Sequence, residues 1–197
     1  MSALTRTDIV NLALREIGTD RIEDYTESTP EADVARDVWD QAIRMTLSRH
    51  QWKFAMKGAA LGRSSSTPAT RYTYIYTLPG DFVRLGSVSS SSTMSPDLID
   101  YVHRDDGIHC DETSVYIEYV YDAPAVGVWP AWFVDLAVVD LASLMASPLK
   151  STTERERLEQ LATKRLAVAR SIDSQQGPPR RWPESSWVSA HRGWRAR

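Results

Sequence analysis

Three side chains, Glu31, Asp40 and Thr46, stand at the Glu-x8-Asp-x5-Thr spacing of some cell-wall-cleaving glycosidases. Glycoside hydrolysis needs two carboxyl groups flanking one sugar linkage, about 5–9.5 Å apart, one giving a proton and the other acting as base or nucleophile. Both acids fall in a segment that reads as a single helix. Nine residues of helix set them roughly 13.5 Å apart along the axis and turn them to opposite faces. The spacing therefore predicts no catalytic pair, and the chain is expected not to be an enzyme.

Other reactive residue types are equally incomplete. His103-Arg104-Asp105 echoes a kinase triplet, but no Gly-rich phosphate loop or strand lysine accompanies it. His103, His109 and Cys110 are metal-ligating types without a CxxC or HxxxH partner. They are expected in a polar loop, and no metal or cofactor is expected. Ser-His-Asp chemistry stays open, although no GxSxG elbow is present. Tyr72, Tyr74 and Tyr76 alternate as on one strand and could stack on bases. Lacking a basic stripe, they read instead as one aromatic face of a sheet packed on helices. Trp39, Trp52 and Phe54 read as core or subunit-contact anchors.

The richest recognition chemistry lies in the last 24 residues, SQQGPPRRWPESSWVSAHRGWRAR. Arg180, Arg181, Trp182, Trp187 and Trp194 sit there among prolines, glycines and serines, with no apolar period of 3.6 or 2. Such a segment cannot build its own core, yet Trp and Arg are the types most enriched at binding hot spots. Residues 174–197 carry five Arg against one Glu, whereas the other 173 residues carry 18 basic and 25 acidic side chains. A basic, Trp-bearing segment on an acidic body predicts a docking arm for another protein. The acidic body argues against a phosphate-gripping surface, which needs clustered Lys and Arg.

At 197 residues the chain fits one domain with an appendage. A single cysteine, Cys110, excludes an internal disulfide and suits a reducing compartment. The opening MSALTRTD has no apolar run and predicts no secretory signal. The most apolar stretch, 131–146, is short for a bilayer and holds Asp135 and Asp140, so no membrane span is expected.

Four helices are expected, over about 7–17, 29–49, 130–147 and 152–173. Gly18 ends the first. Thr29 caps the second with Pro30 at its first position. Phe133, Leu136, Ala137, Leu141 and Leu144 mark the inner face of the third. Leu158, Leu161, Ala162, Val168, Ala169 and Ile172 mark that of the fourth. Between the pairs, 71–78, 81–88 and 115–122 read as strands bounded by turn chemistry. The expected fold is mainly α with a small antiparallel β insertion at about 70–122 (α+β). It is a four-helix bundle over 1–173 followed by an extended C-terminal arm, 174–197.

The order of these segments resembles one family. NLALREIG (11–18), RMTLSRHQWKFA (44–55), YTLPGDFVRL (76–85), DAPAVGVWPAWFVDLAVVDLASLMA (122–146) and the closing QQGPP and SSWVSAHR together look like the tail tubular protein A group. These are the head-to-tail adaptors of tailed bacteriophages. The resemblance implies a structural connector in the virion, assembled in the host cytoplasm. It implies self-association into a dodecameric ring beneath the portal protein, extending the channel through which genomic DNA passes without specific binding. It also implies a second partner in the next tail component (nozzle, stopper or tail tube), and a C-terminal arm that climbs onto the portal. Because some adaptors of short-tailed phages are associated with cell-wall hydrolysis, a peptidoglycan hydrolase is the alternative, alongside a nucleic-acid-binding protein.

Overall fold

In the computed structural model, which describes residues 4–94, 99–122 and 125–177, four helices and two antiparallel sheets give an α+β architecture. The first helix, α1, spans Arg6–Ile17. Thr5 and Asp8 cap each other's backbone at its start, and Gly18 closes it in a left-handed turn at φ 76. Asn11, buried on α1, both donates to and accepts from the backbone of Ile22, at 3.0 and 2.9 Å. The polar connection that follows is thereby tied to the helix it leaves. Thr29 then caps α2, Pro30–Ser48, with Pro30 at its first turn as the sequence predicts.

The third helix, α3 (Ala131–Leu149), is apolar almost all round, and α4 (Thr152–Gln175) runs back along it. By length and composition alone α3 could cross a bilayer. Its faces are instead covered by α1, α2 and α4, and it is the element every other helix packs against. On α4 only Leu158, Ala162, Ala169 and Asp173 are buried. Val168, expected on the inner face, is 56% exposed. It is one residue, about 100° of helix rotation, away from the buried Ala169. The expected boundary at 173/174 falls inside α4, which continues to Gln175.

The β region begins earlier than residue 70 and holds more strands than the three expected. A 3-10 turn at Lys53–Ala55 leads into β1 (Met56–Ala60) and β2 (Gly62–Arg63). Then come β3 (Tyr74–Thr77), β4 (Phe82–Ser89), β5 (Tyr101–Arg104), β6 (Gly107–Cys110) and β7 (Tyr116–Tyr121). The first sheet has the order β1-β7-β4 and the second β2-β3-β6-β5. Gly58, Gly62 and the small residues of β1 and β2 hide the strand pattern, and so does the brevity of β5 and β6. Gly86 sits at a register shift of β4, where a Cβ would lie 2.7 Å from the Glu118 carbonyl. Gly107, at φ 136, makes the β5–β6 turn against the Tyr76 carbonyl.

The first sheet lies between the helices and the second sheet. On β7, Val120 belongs to the helical core, whereas Ile117 and Tyr119 join Tyr76, Ile108, Cys110 and Val115 in a smaller core between the sheets. Tyr74 and Tyr76 therefore pack into this inter-sheet core and not onto helices as expected; Tyr72 is buried just outside the strand. His109 and Cys110 are likewise not in a polar loop. They lie on β6, 2% and 0% exposed, opposite Ile75 and Tyr74, and His103 lies on β5.

A candidate clasp at the root of the C-terminal segment

The described residue cluster with the most buried charge lies where α2 hands over to β1, in the stretch Arg49-His50-Gln51-Trp52-Lys53. A chain leaving a helix exposes unsatisfied carbonyls, and here they are taken by side chains from other elements. The indole Nε1 of Trp52 donates to the Thr46 carbonyl at 3.0 Å, folding the stretch back on α2. Trp52 is wholly buried against Trp132, Phe133 and His50.

Each neighbour of Trp52 then reaches a different element. From β4, Arg84 donates to the Ser48 carbonyl at 2.9 Å, and Gln51 donates to the Gly86 carbonyl at 3.3 Å. From α4, Arg170 donates to the Arg49 carbonyl at 2.5 Å. The backbone N–H of Lys53 donates to Asp173 Oδ1 at 3.0 Å, while His50 Nε2 lies 3.3 Å from Oδ2. The ammonium of Lys53 donates to the Ser174 carbonyl at 2.9 Å, a cation on the negative end of α4. Three residues on, a methyl group at Gly177 would stand 3.2 Å from that same Nζ. The chain therefore leaves α4 braced against Lys53.

Beneath this stretch Asp140, wholly buried on α3, accepts from Thr46 Oγ1 at 2.7 Å. Arg49 Nη1 is 2.9 Å from its other oxygen, close enough for an ion pair, although no N–H is aimed well enough at that oxygen to make a hydrogen bond. Burial pushes the Asp140 carboxyl above the ordinary carboxylate range, against the opposing pull of Thr46 and Arg49. His50 is held below the usual imidazole value by burial, with Arg170 and Arg84 adding to the effect and Asp173 opposing it. These groups are spent on one another and on backbone carbonyls. The arrangement fastens three helices and a sheet at one point; it presents no open position to a substrate.

The residues singled out from sequence fare differently. Glu31 and Asp40 do lie on α2, and Thr46 is committed to Asp140 and to the Ala42 carbonyl. Asp40 borders a slot of about 60 Å3 with Arg6, Arg44 and Asp122. Arg180, Arg181, Trp182, Trp187 and Trp194 lie outside the described residues. Among the described residues, no group of three His, Cys, Asp or Glu side chains comes together as a metal site.

Sequence reasoning passed over Asp173, His50 and Lys53, and weighed Asp140 only as an obstacle to a membrane span. Asp140 was legible, because an acid inside the run VVDLA of a buried helix requires a partner. Asp173 continues the buried series Leu158, Ala162, Ala169 at helical spacing. No protein-family model matches this chain, and no curated protein matches it.

Proposed function

We propose that this chain is a structural head-to-tail connector of a tailed bacteriophage, a role it performs by docking. In this reading a ring of copies, a dodecamer, sits beneath the portal protein. It extends the DNA channel and anchors the next tail component. The observation that carries the proposal is the clasp. RMTLSRHQWKFA, one of the segments on which the resemblance rests, braces the end of α4 through Asp173 and Ser174. The Arg/Trp segment that follows thus departs from a fixed point, which suits a lever or anchor.

Two further features support it. The large apolar side chains left exposed among the described residues are Leu4, Tyr101, Val128 and Val168, and three of these four lie outside the sheets. That suits a ring built by a four-helix-bundle body, with the sheets turned to a neighbouring tail component. The acids are also concentrated: residues 16–40 hold nine of them against two Arg. Such a stretch on a channel wall would repel DNA and let it pass without adhesion. Ring closure requires a heterologous interface that repeats without drift.

The test is truncation after Gly177, which keeps every clasp contact and removes Arg180, Arg181, Trp182, Trp187 and Trp194. The truncated chain is expected to stay folded and soluble but to lose joining to portal-bearing heads in co-sedimentation. Binding as tight as that of the full chain would contradict the docking arm.

A further inference from the structure

Outside the clasp, one histidine has both ring nitrogens engaged in an order that chemistry uses. His109 on β6 is 2% exposed. Its Nε2 is 2.7 Å from Asp106 Oδ1 in the β5–β6 turn, and its Nδ1 is 3.0 Å from Thr70 Oγ1 in the loop before β3. The bond from His109 holds Asp106 below the ordinary carboxylate range, so Asp106 accepts and Nε2 carries the proton. Nδ1 is then left as the acceptor for the Thr70 hydroxyl. Thr70 is half-buried and lines a groove of about 310 Å3 together with Arg71, Tyr72, Val102 and Arg104.

Nucleophile, base and orienting acid thus stand in series, each within the 2.6–3.2 Å reach that acyl transfer requires. Thr70 lies 39 residues before His109, in a different stretch from Asp106 and His109, which is why no local motif announced them. A purely structural histidine would account for the staple between turn and loop. It would not account for the groove beside that hydroxyl, which Arg104 lines while the Arg71 guanidinium is held by Asp100 at 2.6 Å.

We propose that Thr70 is a nucleophile activated for acyl transfer, taking the acyl group of a small carboxylic ester whose acid part carries a second, anionic carboxylate. Thr70 Oγ1 attacks the ester carbonyl carbon and its proton passes to His109 Nδ1. The Oγ1–C bond forms, the bond to the alcohol oxygen breaks, and the leaving alcohol takes the proton from Nδ1. Water returns Thr70 by the same path, giving the free acid. His109 is the base, Asp106 the positioning residue, and Arg104 holds the anionic end, with Arg71 held beside it by Asp100. This inference does not rest on the connector reading.

The full chain is incubated with 4-nitrophenyl acetate and, separately, with its anionic counterpart 4-nitrophenyl succinate, then mapped by peptide mass spectrometry. One acyl group is expected on Thr70, faster from the succinate. Thr70→Ser should keep the label. Thr70→Val, nearly isosteric at a half-exposed site and so expected to fold, should lose it. His109→Gln should slow labelling by about 100-fold or more. Asp106→Asn should move the pH profile of labelling, which a change of stability alone would not do. Label confined to lysines, or labelling of Thr70→Val at the parent rate, would overturn the proposal. Equal rates for the two esters would overturn the anionic substrate class.

Discussion

Ile117 and Val120 sit three residues apart on β7 and yet belong to different cores. Val120 points into the helical body, where α1, α2 and α4 surround α3 and Trp39, Trp52, Trp129 and Phe133 fill the space between them. Ile117 points into a core of six buried residues between two short-stranded sheets. The helical body is held by area. A buried large side chain contributes about 1.5–3 kcal/mol, and here twenty of them among the described residues interlock around one axis. The sheet module is held by hydrogen bonds at its margins: Tyr76 to the Glu112 carbonyl, Thr73 to Asp111, and Tyr119 to Asp81. Burial and the hydrogen bond to Asp81 push the Tyr119 hydroxyl up to about 12, so it stays a donor at any physiological pH. The difference teaches that one region suits the constant duty of a body and the other that of an adaptable contact surface. The clasp is where they meet.

If that division of labour is correct, the largest loss should come from the clasp's aromatic pivot. Trp52→Ala is expected to cost about 3–5 kcal/mol in urea unfolding, since it opens a cavity under three helices at once. Ile108→Ala should cost about 2–5 kcal/mol by the same rule and fall below it. The reverse order would break the comparison. Asp173→Ala strands the Lys53 N–H and is expected to cost about 1–3 kcal/mol. Its amide-exchange signature should be loss of protection at the end of α4, with α3 unchanged.

Asp140→Asn keeps the acceptor for Thr46 but ends the ion pair with Arg49, and is expected to cost about 1 kcal/mol at pH 7. It should also flatten a slope. A carboxyl whose folded value is raised binds its proton more tightly in the folded chain. The parent therefore loses stability as pH rises from 3.8 through that raised value. The smallest effect is expected at His50. With the folded value held below 6.5, its stability contribution is full above that pH and falls as the pH drops beneath it. His50→Gln should remove part of that acid-side fall in thermal melts.

The helices were legible because their signals are local and redundant: Thr29-Pro30 and Gly18 mark ends, the apolar stripes of α1 and α2 keep their period, and α3 is one long apolar run. Four of the seven strands were not. β1 and β2 are read through Gly58, Ala59, Ala60 and Gly62, which carry no alternation, and β5 and β6 are four residues each. The two-sided burial of β7 was also hidden. Its alternation Val115, Ile117, Tyr119 is clean, but Val120 serves the opposite core. The clasp escaped for another reason: its partners are about 90 to 120 residues apart, from Thr46 to Asp140 and Lys53 to Asp173. Only folding brings them together.

The central claim, that this chain is an assembling connector and not a self-sufficient monomer, is tested most directly by its mass in solution, with and without an isolated portal ring. The account predicts that adding portal yields one discrete species carrying a full ring of copies, dodecameric as the resemblance implies. Truncation after Gly177 should abolish that species. A chain that stays monomeric at every ratio of portal would contradict the account.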